Sequence, residues 1–508
     1  MQGSALSRPA AAALLAHLGL VGVGIAWWVA NLNAIPAYGD TAQYFQLAES
    51  LHVDQYRTLF YPLLLRGLQA VASLLNARVE LLVYIVQTAA ALLSIACLGT
   101  ALWEVTAASG RFAPLAAVPP ASRRLVIGAA ALVVFAEPLV NHFALSVMTD
   151  SLAASLTTVG VAALVRIAVL GDARLRTAIV AWLAIAGAGF MRAEKVEVFA
   201  VVIAVTLAIL AFRPQAGGED STPSRQRRRV LATLATLLLT PAVVVLGLNR
   251  ATQTADYGWP PLTVATRLFV RSAWPRLTDI RPLLSAEAQA VVSAADAERF
   301  DRHYNEYLSL VLRLRAAAGG SDRLVDEISG VALRSRGGEI ALATGIDALR
   351  YAAPMVAYPA DLVVGAQSAS NWTDSRMRMA HPSLTRAYLL IATAVLIAIQ
   401  LPLLAFAVVR RGGCDRRVQF AAWLTVGAAL VNAALYAIGN GLQNVRYALP
   451  GYVLLYAVIV WANLAVLATA WRASATARAA MPATRRQPRG GSDVLPLVRR
   501  PGERADPS

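Results

Sequence analysis

Charged residues are scarce in this chain. They make up 15% of its 508 residues, and 57% of the residues are hydrophobic, whereas soluble domains have about 25% charged residues. This shortage excludes an ordinary soluble protein. Apolar runs of about 20 residues, each long enough to cross about 30 Å of hydrocarbon, recur along the chain. We predict an all-α polytopic membrane protein with about ten transmembrane helices, near residues 11–34, 80–106, 124–141, 148–169, 177–192, 194–212, 229–248, 386–409, 417–438 and 446–471.

Cysteine and lysine are also rare. The two cysteines, Cys97 in a predicted span and Cys414 in a predicted cytosolic loop, do not suggest a disulfide. Lys195 is the only lysine, so the net charge of +16 rests on arginine. The arginines cluster in alternate short loops (123–124, 174–176, 225–229 and 410–417) and in the C-terminal tail. This pattern predicts that both termini are cytoplasmic. The excess charge then serves orientation and contact with membrane lipids, and we expect no nucleic-acid partner.

The predicted spans divide the chain into four parts. Residues 1–248 form an N-terminal module with seven spans, 249–385 a small, mostly helical extracytoplasmic cap, 386–471 the C-terminal transmembrane helices, and 472–508 a disordered basic cytoplasmic tail. In the first outer segment, helical spacing from Asp40 to Leu51 and an apolar stretch from Tyr61 to about Leu75 predict interfacial helices after the first span. No internal repeat is evident.

Ionisable residues near membrane depth are costly and are usually functional. Here they gather at one predicted level, the outer ends of the spans. They are Asp40, Glu137, His142, Asp150, Arg192, Glu194, Lys195, Glu197 and, with Gln443 and Asn444, Arg446. This asymmetry predicts a polar cavity open to the outside.

Such a cavity suits glycosyl transfer from a lipid phosphate. Asp40 is the candidate general base for the acceptor, and Arg446, Arg192 and Lys195 are candidates to bind the phosphate. Structural roles remain open for several residues. Asp150 could be a helix N-cap or a first-turn acid, Glu194 and Lys195 could join neighbouring spans, Arg446 could anchor the interface, and His142 could be an interfacial histidine with satisfied hydrogen bonds.

Several short motifs, in this order along the chain, resemble the GT-C superfamily of membrane glycosyltransferases. The nearest resemblance is to bacterial members similar to protein O-mannosyltransferases and to the lipid A aminoarabinose transferase. The matching stretches are 39–48 with its acid, the aromatic and proline-rich 57–64, Thr-Asp-Ser-Leu at 149–152, Met-Arg-Ala-Glu at 191–194, and Asn-Val-Arg-Tyr-Ala-Leu-Pro at 444–450. The resemblance covers roughly residues 11–248 and 386–471.

This resemblance implies transfer of a sugar, with inversion, from a polyprenyl-phosphate donor to an envelope glycan, lipid or protein. The reaction would take place on the outer face of a bacterial cytoplasmic membrane. Asp40 would be the base and Asp150 would orient the acceptor or assist the base. Arg446, with Arg192 or Lys195, would hold the donor phosphate, and the substrate-binding residues would be Tyr44, Arg57, Tyr61, Glu194 and His142.

The chain departs from the family at the first acidic site. Members often have two adjacent acids there, whereas Thr41 follows Asp40. His303 and His381, the histidines of the long outer segment, do not have metal-ligand spacing. We therefore predict no metal ligands and assign no cofactor. A divalent metal, which the resemblance would allow, is not expected from these residues.

Two other functions fit a polytopic protein of this size. A lipid or solute transporter is one, although transporters often have internal repeats and spans broken near the bilayer midplane. A polysaccharide polymerase or ligase is the other, and it would depend on outer-loop residues such as Arg267, Arg271 and His303.

Overall fold

The computed structural model describes residues 7–33, 39–51, 60–108, 118–192, 194–212, 221–253, 264–303, 306–353, 363–365, 377–379, 382–410, 415–439 and 445–479. The N-terminal helices are α1 Ser7–Asn31, α2 Gly39–Ser50, α3 Phe60–Leu75, α4 Val79–Ala107, α5 Pro120–Phe135, α6 Pro138–Ala144, α7 Thr149–Leu170, α8 Leu175–Met191, α9 Lys195–Phe212 and α10 Ser221–Gln253.

Shorter helices follow: α11 Val264–Ala273, α12 Leu277–Ile280 with a 3₁₀ turn at Arg281–Leu283, α13 Ala286–Val291, α14 Ala294–Arg302, α15 Tyr307–Ala317 and the longer α16 Arg323–Ala352. Two three-residue strands, β1 Val363–Gly365 and β2 Met377–Met379, pair in parallel with Val363 opposite Met377. The last helices are α17 Pro382–Val395, a π-turn at Leu396–Gln400, α18 Leu401–Arg410, α19 Arg416–Gly439, a 3₁₀ turn at Val445–Ala448 and α20 Leu449–Ala479.

The described chain is thus almost entirely helical, and its longest helices are apolar. Seven of the described segments are long and apolar enough to cross a membrane: Ala10–Asn31, Val79–Ala107, Asp150–Leu170, Lys195–Phe212, Pro382–Phe406, Arg416–Ile438 and Arg446–Leu467. These agree with seven of the predicted spans. The predicted total of ten is not confirmed. Helix α8 has 17 residues, one fewer than the 18 required here for a membrane span. No segment of α10, which contains the predicted span 229–248, is among the seven.

The third predicted span, 124–141, is broken in the structure. Helices α5 and α6 meet at an angle of 85° between Phe135 and Pro138. Pro138 has no backbone N–H to continue the helix. Glu137 instead caps α6, since its Oε2 atom accepts hydrogen bonds from the backbone N–H groups of Leu139 (2.9 Å) and Val140 (3.2 Å). The chain therefore forms two helices here instead of one straight span.

Helix α7 lies at the centre of the apolar bundle. In its span 72% of the residues are buried, against 22% for the segment Pro382–Phe406, which lies at the periphery. Around α7 pack α4, α8, α9, α19 and α20. The N-terminal turn of α7 therefore places its polar side chains inside the protein.

Helices α11–α16, here called the helical unit (residues 264–353), have a hydrophobic core of their own. Phe269, Leu277, Phe300, Val311 and Leu324 are fully buried in it. A buried ion pair of 2.6 Å between Arg271 Nη1 and Asp347 Oδ2 joins α11 to α16. Residues 264–353 are largely helical, whereas the predicted extracytoplasmic cap over residues 249–385 and its position relative to the membrane stay predictions.

The C-terminal helix is longer than predicted. Helix α20 continues through Ala479, past the predicted boundary of the disordered tail at residue 472. Its sequence from Trp471 to Ala479 is rich in alanine and arginine, both of which have high helix propensity. The rest of the predicted tail, residues 480–508, lies outside the described residues.

Candidate functional site

Asp40 forms an ion pair with Arg446. Asp40 is the second residue of α2 and Arg446 lies in the 3₁₀ turn before α20, and the distance from Arg446 Nη1 to Asp40 Oδ2 is 2.7 Å. The two side chains are 12% and 18% exposed. Removing either partner would leave a largely desolvated charge, which is strongly unfavourable. The pair therefore fixes the segment after the first span against the start of the last one.

Asp150 forms a second ion pair, with Arg192. Asp150 lies in the first turn of α7, and its Oδ1 atom is 2.7 Å from Arg192 Nη2 at the C-terminal end of α8. The Asp150 side chain is only 2% exposed. Its Oδ2 atom is buried without a hydrogen-bond partner among the described residues. Met148, not Asp150, occupies the N-cap position of α7, so the N-cap interpretation of Asp150 is wrong and the first-turn one is confirmed.

Glu194 shares the Arg192 guanidinium with Asp150. Arg192 Nη1 is 3.1 Å from Glu194 Oε1, which also accepts a 2.7 Å hydrogen bond from the Tyr436 hydroxyl. Burial alone would raise the pKa of Glu194, but the positive charges of Arg192 and then Lys195 outweigh it and lower the pKa to about 2. Glu194 is therefore ionised at neutral pH.

Lys195 is completely buried in the described structure. Its Nζ atom donates to Asn432 Oδ1 (2.7 Å) and to the Tyr436 hydroxyl (3.1 Å), both on α19, and lies 4.5 Å from the centre of the Tyr436 ring. Glu194 also contacts Tyr436. These contacts join α9 to α19, as the structural interpretation of Glu194 and Lys195 expects. The role of Lys195 in phosphate binding stays a prediction.

Tyr447 connects the two ion pairs. The guanidinium carbons of Arg192 and Arg446 each lie 5.0 Å from the centre of its ring. Arg446 Nη2 donates to the Tyr447 hydroxyl at 3.1 Å, and the Tyr447 ring stacks on Tyr436 with centroids 4.8 Å apart. Cation–π contacts hold both guanidinium groups in place. We call the set Asp40, Asp150, Arg192, Glu194, Lys195, Tyr436, Arg446 and Tyr447 the polar cluster.

Helices α2 and α3 hold Asp40 in the polar cluster. The Tyr44 hydroxyl is 3.3 Å from Thr149 Oγ1, and Thr41 Oγ1 donates to the Val147 carbonyl at 3.2 Å. The ring of Tyr61 on α3 packs edge-on against Tyr44, with centroids 5.0 Å apart. Asp40 is thereby held beside the helix that carries Asp150.

Tyr61 is fully buried, and its hydroxyl has no hydrogen-bond partner within the described ranges. Burial raises its pKa well above the ordinary value, and the neighbouring Tyr44 and Asp150 raise it further. The Tyr61 hydroxyl thus stays protonated in its buried position.

Some predicted site residues lie elsewhere. His142 is buried on α6, where its ring packs against Trp27 (6.4 Å between centroids) and Phe143 (5.0 Å). Glu197, on α9, pairs with Arg267 of the helical unit. Arg57, Gln443 and Asn444 lie outside the described residues.

Sequence reasoning missed Asn432, Tyr436 and Tyr447. Tyr447 follows Arg446 in the stretch 444–450, in which only the arginine has a predicted role. Asn432 and Tyr436 are four residues apart in an apolar stretch, a spacing that places them on one face of a helix. That spacing was the signal for a buried polar contact.

The polar cluster contains three carboxylates, two guanidinium groups and the amine of Lys195, and the carboxylates already engage both guanidinium groups. An added phosphate would therefore compete with Asp40, Asp150 and Glu194 for the same guanidinium groups. Across the described ranges, no group of three or more His, Cys, Asp or Glu side chains is arranged to hold a metal ion.

Comparisons with known proteins give no independent indication of what the polar cluster does. No protein-family model, no curated protein and no solved structure matches this chain.

Proposed function

We propose that this protein is an integral membrane glycosyltransferase that transfers a sugar from a polyprenyl-phosphate donor to an envelope acceptor. The observation that supports it best is the Asp40–Arg446 pair beside the Asp150–Arg192 pair. Together they place candidate bases and candidate phosphate ligands in one cluster at the ends of apolar helices. The resemblance of the motifs around these residues to the GT-C superfamily supports the same assignment.

The proposed reaction is a direct displacement. An acceptor hydroxyl oxygen attacks the anomeric carbon of the donor sugar, and Asp40 takes the hydroxyl proton. The bond from the anomeric carbon to the phosphate oxygen breaks, and the polyprenyl phosphate leaves with the bonding electrons. Arg446 and Arg192 stabilise the charge that develops on this oxygen. Displacement from the opposite face inverts the anomeric configuration.

Donor binding and base activation are linked in this mechanism. In the structure Arg446 Nη1 engages the Asp40 Oδ2 atom at 2.7 Å. A donor phosphate would draw Arg446 towards itself and weaken this contact. The Asp40 carboxylate would then be released to take the acceptor proton only when the donor is in place.

The proposed location is the outer face of a bacterial cytoplasmic membrane, with both termini cytoplasmic. The distribution of arginine among the loops supports this orientation. In the same arrangement α2 and α3 would lie at the outer interface, and the helical unit would cover the polar cluster and select the acceptor.

The first test is the Asp40→Asn variant, assayed for sugar transfer in membranes. We expect transfer to fall by about 10²-fold or more, which is the usual contribution of a general base. The product can be found by mass spectrometry of envelope glycans from cells with and without the gene. The matched control is Asp172→Asn, which breaks another carboxylate–arginine pair, Asp172–Arg166 at 3.0 Å, at the opposite end of α7. Retained transfer by Asp40→Asn at normal protein levels would remove Asp40 from the role of base.

A lipid or solute transporter is the alternative function that one structural feature, the interrupted apolar helices, favours. The bend of 85° between α5 and α6 and the π-turn that ends at the buried Gln400 both interrupt apolar helices, and transporters often have broken spans. A purified protein that binds a polyprenyl-phosphate sugar and leaves it intact with every candidate acceptor would favour transport.

A polysaccharide polymerase or ligase would use the outer-loop residues Arg267, Arg271 and His303. In the structure Arg267 is paired with Glu197, and Arg271 with Asp347. Loss of activity in Arg267→Gln and Arg271→Gln, with activity retained in Asp40→Asn, would favour this alternative over the proposed function.

A further inference from the structure

A basic groove lies at the opposite end of α7 from Asp150. It has a volume of about 680 Å³ and is formed by the last turns of α7, the loop 171–174 and the N-terminal part of α10. Gly171 ends α7 in the left-handed conformation, with φ +71°, and the Gln226 side chain packs against it and donates to its carbonyl at 3.3 Å. This hydrogen bond joins the loop to α10.

The charge of the groove is strongly positive. Four arginines and one carboxylate line it: Arg166, Arg174, Arg225, Arg229 and Asp172. This set has an excess of three positive charges. Pockets of this volume are typical of sites for small molecules and cofactors, and an anion is the ligand that this charge favours.

Arg166 already has its partners. It donates to Glu104 Oε2 at 2.6 Å and to Asp172 Oδ2 at 3.0 Å. Burial would raise the pKa of Asp172, but hydrogen bonds from Arg166 and Thr177 lower it. Asp172 thus stays ionised and holds Arg166 in the wall of the groove.

The other three arginines are available to a ligand. Arg225 and Arg229 are exposed and have no ion-pair partner among the residues that the structure describes. Arg174 is 86% exposed and reaches Asp172 only at 3.6 Å. Arg174 is also the N-cap residue of α8 and gives this helix no side-chain cap.

We propose that this groove is a second binding site, distinct from the polar cluster, for the phosphate group of an anionic ligand. Arg174, Arg225 and Arg229 would hold the phosphate by charge-assisted hydrogen bonds, and Arg166 would stay bound to its two carboxylates. The phosphate could belong to a lipid headgroup of the facing leaflet or to a soluble phosphate compound. The site does not depend on the proposed glycosyltransferase activity.

The test uses the purified full-length protein and two phosphate probes. Inorganic pyrophosphate is titrated in a binding assay, and lipid binding is measured by native mass spectrometry after reconstitution with and without phosphatidylglycerol. The variant Arg225→Gln/Arg229→Gln removes two groove charges. Its control, Arg176→Gln/Arg228→Gln, removes two exposed charges from the neighbouring helices α8 and α10 that do not line the groove.

We expect the groove variant to bind one of the probes at least about tenfold more weakly, which corresponds to the loss of one charge-assisted hydrogen bond. The control should bind as the parent does. Selective loss of pyrophosphate binding indicates a soluble phosphate ligand, and selective loss of phosphatidylglycerol indicates a lipid headgroup. Equal weakening in both variants, or no binding of either probe to the parent, would overturn the proposal.

Discussion

At the scale of single residues, the Asp40–Arg446 pair has two opposite effects. The two charges stabilise each other in a largely dehydrated place, where either alone would be unfavourable. Each side chain is also bound to the other, so a substrate must displace this ion pair before it can bind either group. The ion pair thus fixes the geometry of the empty site and lowers its affinity for a ligand.

A double-mutant cycle on this pair tests its contribution to stability. We expect Asp40→Asn and Arg446→Gln each to lower the free energy of unfolding, and the double variant to lose less than the sum. The coupling should be about 1–3 kcal/mol, reduced from that of a fully buried pair by the partial exposure of both side chains. Thermal unfolding in detergent measures it, and strictly additive losses would show that the pair contributes no coupling.

A second residue-scale prediction concerns Asp296 in the helical unit. The hydrogen bond that Arg313 donates to Asp296 is the largest cause of a lowered pKa. Burial acts in the opposite direction, and the hydrogen bonds from Ser293 lower the pKa further, so that the pKa of Asp296 falls to about 2. A lowered pKa in the folded state stabilises the fold above the unfolded value of 3.8. This contribution is lost as the pH falls from near 4 towards 2.

Hydrogen–deuterium exchange, corrected for the intrinsic rates, can follow this loss in peptides from α14 and α15. Asp296→Asn should weaken protection at neutral pH and remove most of its acid dependence. The control is Asp279→Asn, because the Arg276–Asp279 pair is more than half exposed on both sides and should contribute little. The same acid dependence in Asp296→Asn and in the parent would contradict the assignment.

The sequence could identify the ionisable members of the polar cluster but not its arrangement. Asp40, Asp150, Arg192 and Arg446 stand out because charges are rare beside apolar runs. Which carboxylate pairs with which arginine depends on how α2 docks on α7, through Tyr44 and Thr149, and no local pattern encodes that docking. Asn432 and Tyr436 were overlooked because uncharged polar residues in an apolar helix do not stand out by hydropathy.

At the scale of the elements, close packing of α1 depends on one glycine. A Cβ atom on Gly24 would lie 2.8 Å from the Cβ of Ala136 and 2.9 Å from the Tyr388 hydroxyl. The Gly24 carbonyl also accepts a 2.9 Å hydrogen bond from Asn141 Nδ2. These contacts hold α1 against the break between α5 and α6, where Pro138 interrupts the hydrogen bonds of the helix backbone.

We therefore predict that Gly24→Ala destabilises the protein by about 1–3 kcal/mol, as overpacking commonly does. Gly22→Ala on the same helix is the matched control, because a Cβ atom there meets nothing within 4 Å. It should be neutral or slightly stabilising, since alanine favours helix over glycine. Thermal unfolding of both purified variants gives the comparison, and equal midpoints would show that α1 can shift without loss.

The broken third span also shows what hydropathy can and cannot predict. The apolar composition of residues 124–141 predicted a membrane helix, and both pieces are indeed helical. The bend follows from Pro138, which cannot donate a backbone hydrogen bond, and from the Glu137 carboxylate, which caps a new helix. Hydropathy averaged over about 20 residues does not detect such a local break.

At the scale of the whole molecule, the orientation in the membrane is the main expectation still to be measured. The test starts from a variant without its native cysteines (Cys97→Ala, Cys414→Ala). A single cysteine is then introduced at an exposed position, either Ser321→Cys in the helical unit or Arg176→Cys in the first turn of α8. We expect a membrane-impermeant maleimide to label Ser321→Cys in intact spheroplasts. Arg176→Cys should be labelled only after permeabilisation. The reverse pattern would invert the orientation and place the polar cluster on the cytoplasmic side.

The distance along the chain between Asp40 and Arg446 has a consequence for biosynthesis. The partners are 406 positions apart. All the described helices except α1 and α20 begin between them or, for α2, next to Asp40. While the ribosome is still making the middle of the chain, Asp40 has left it and its arginine does not yet exist. The polar cluster can be completed only when the last helix enters the membrane, so a chain released early would carry half a site and an uncompensated acid. Completion of the cluster would then distinguish a finished chain from a truncated one for the proteases that survey the membrane.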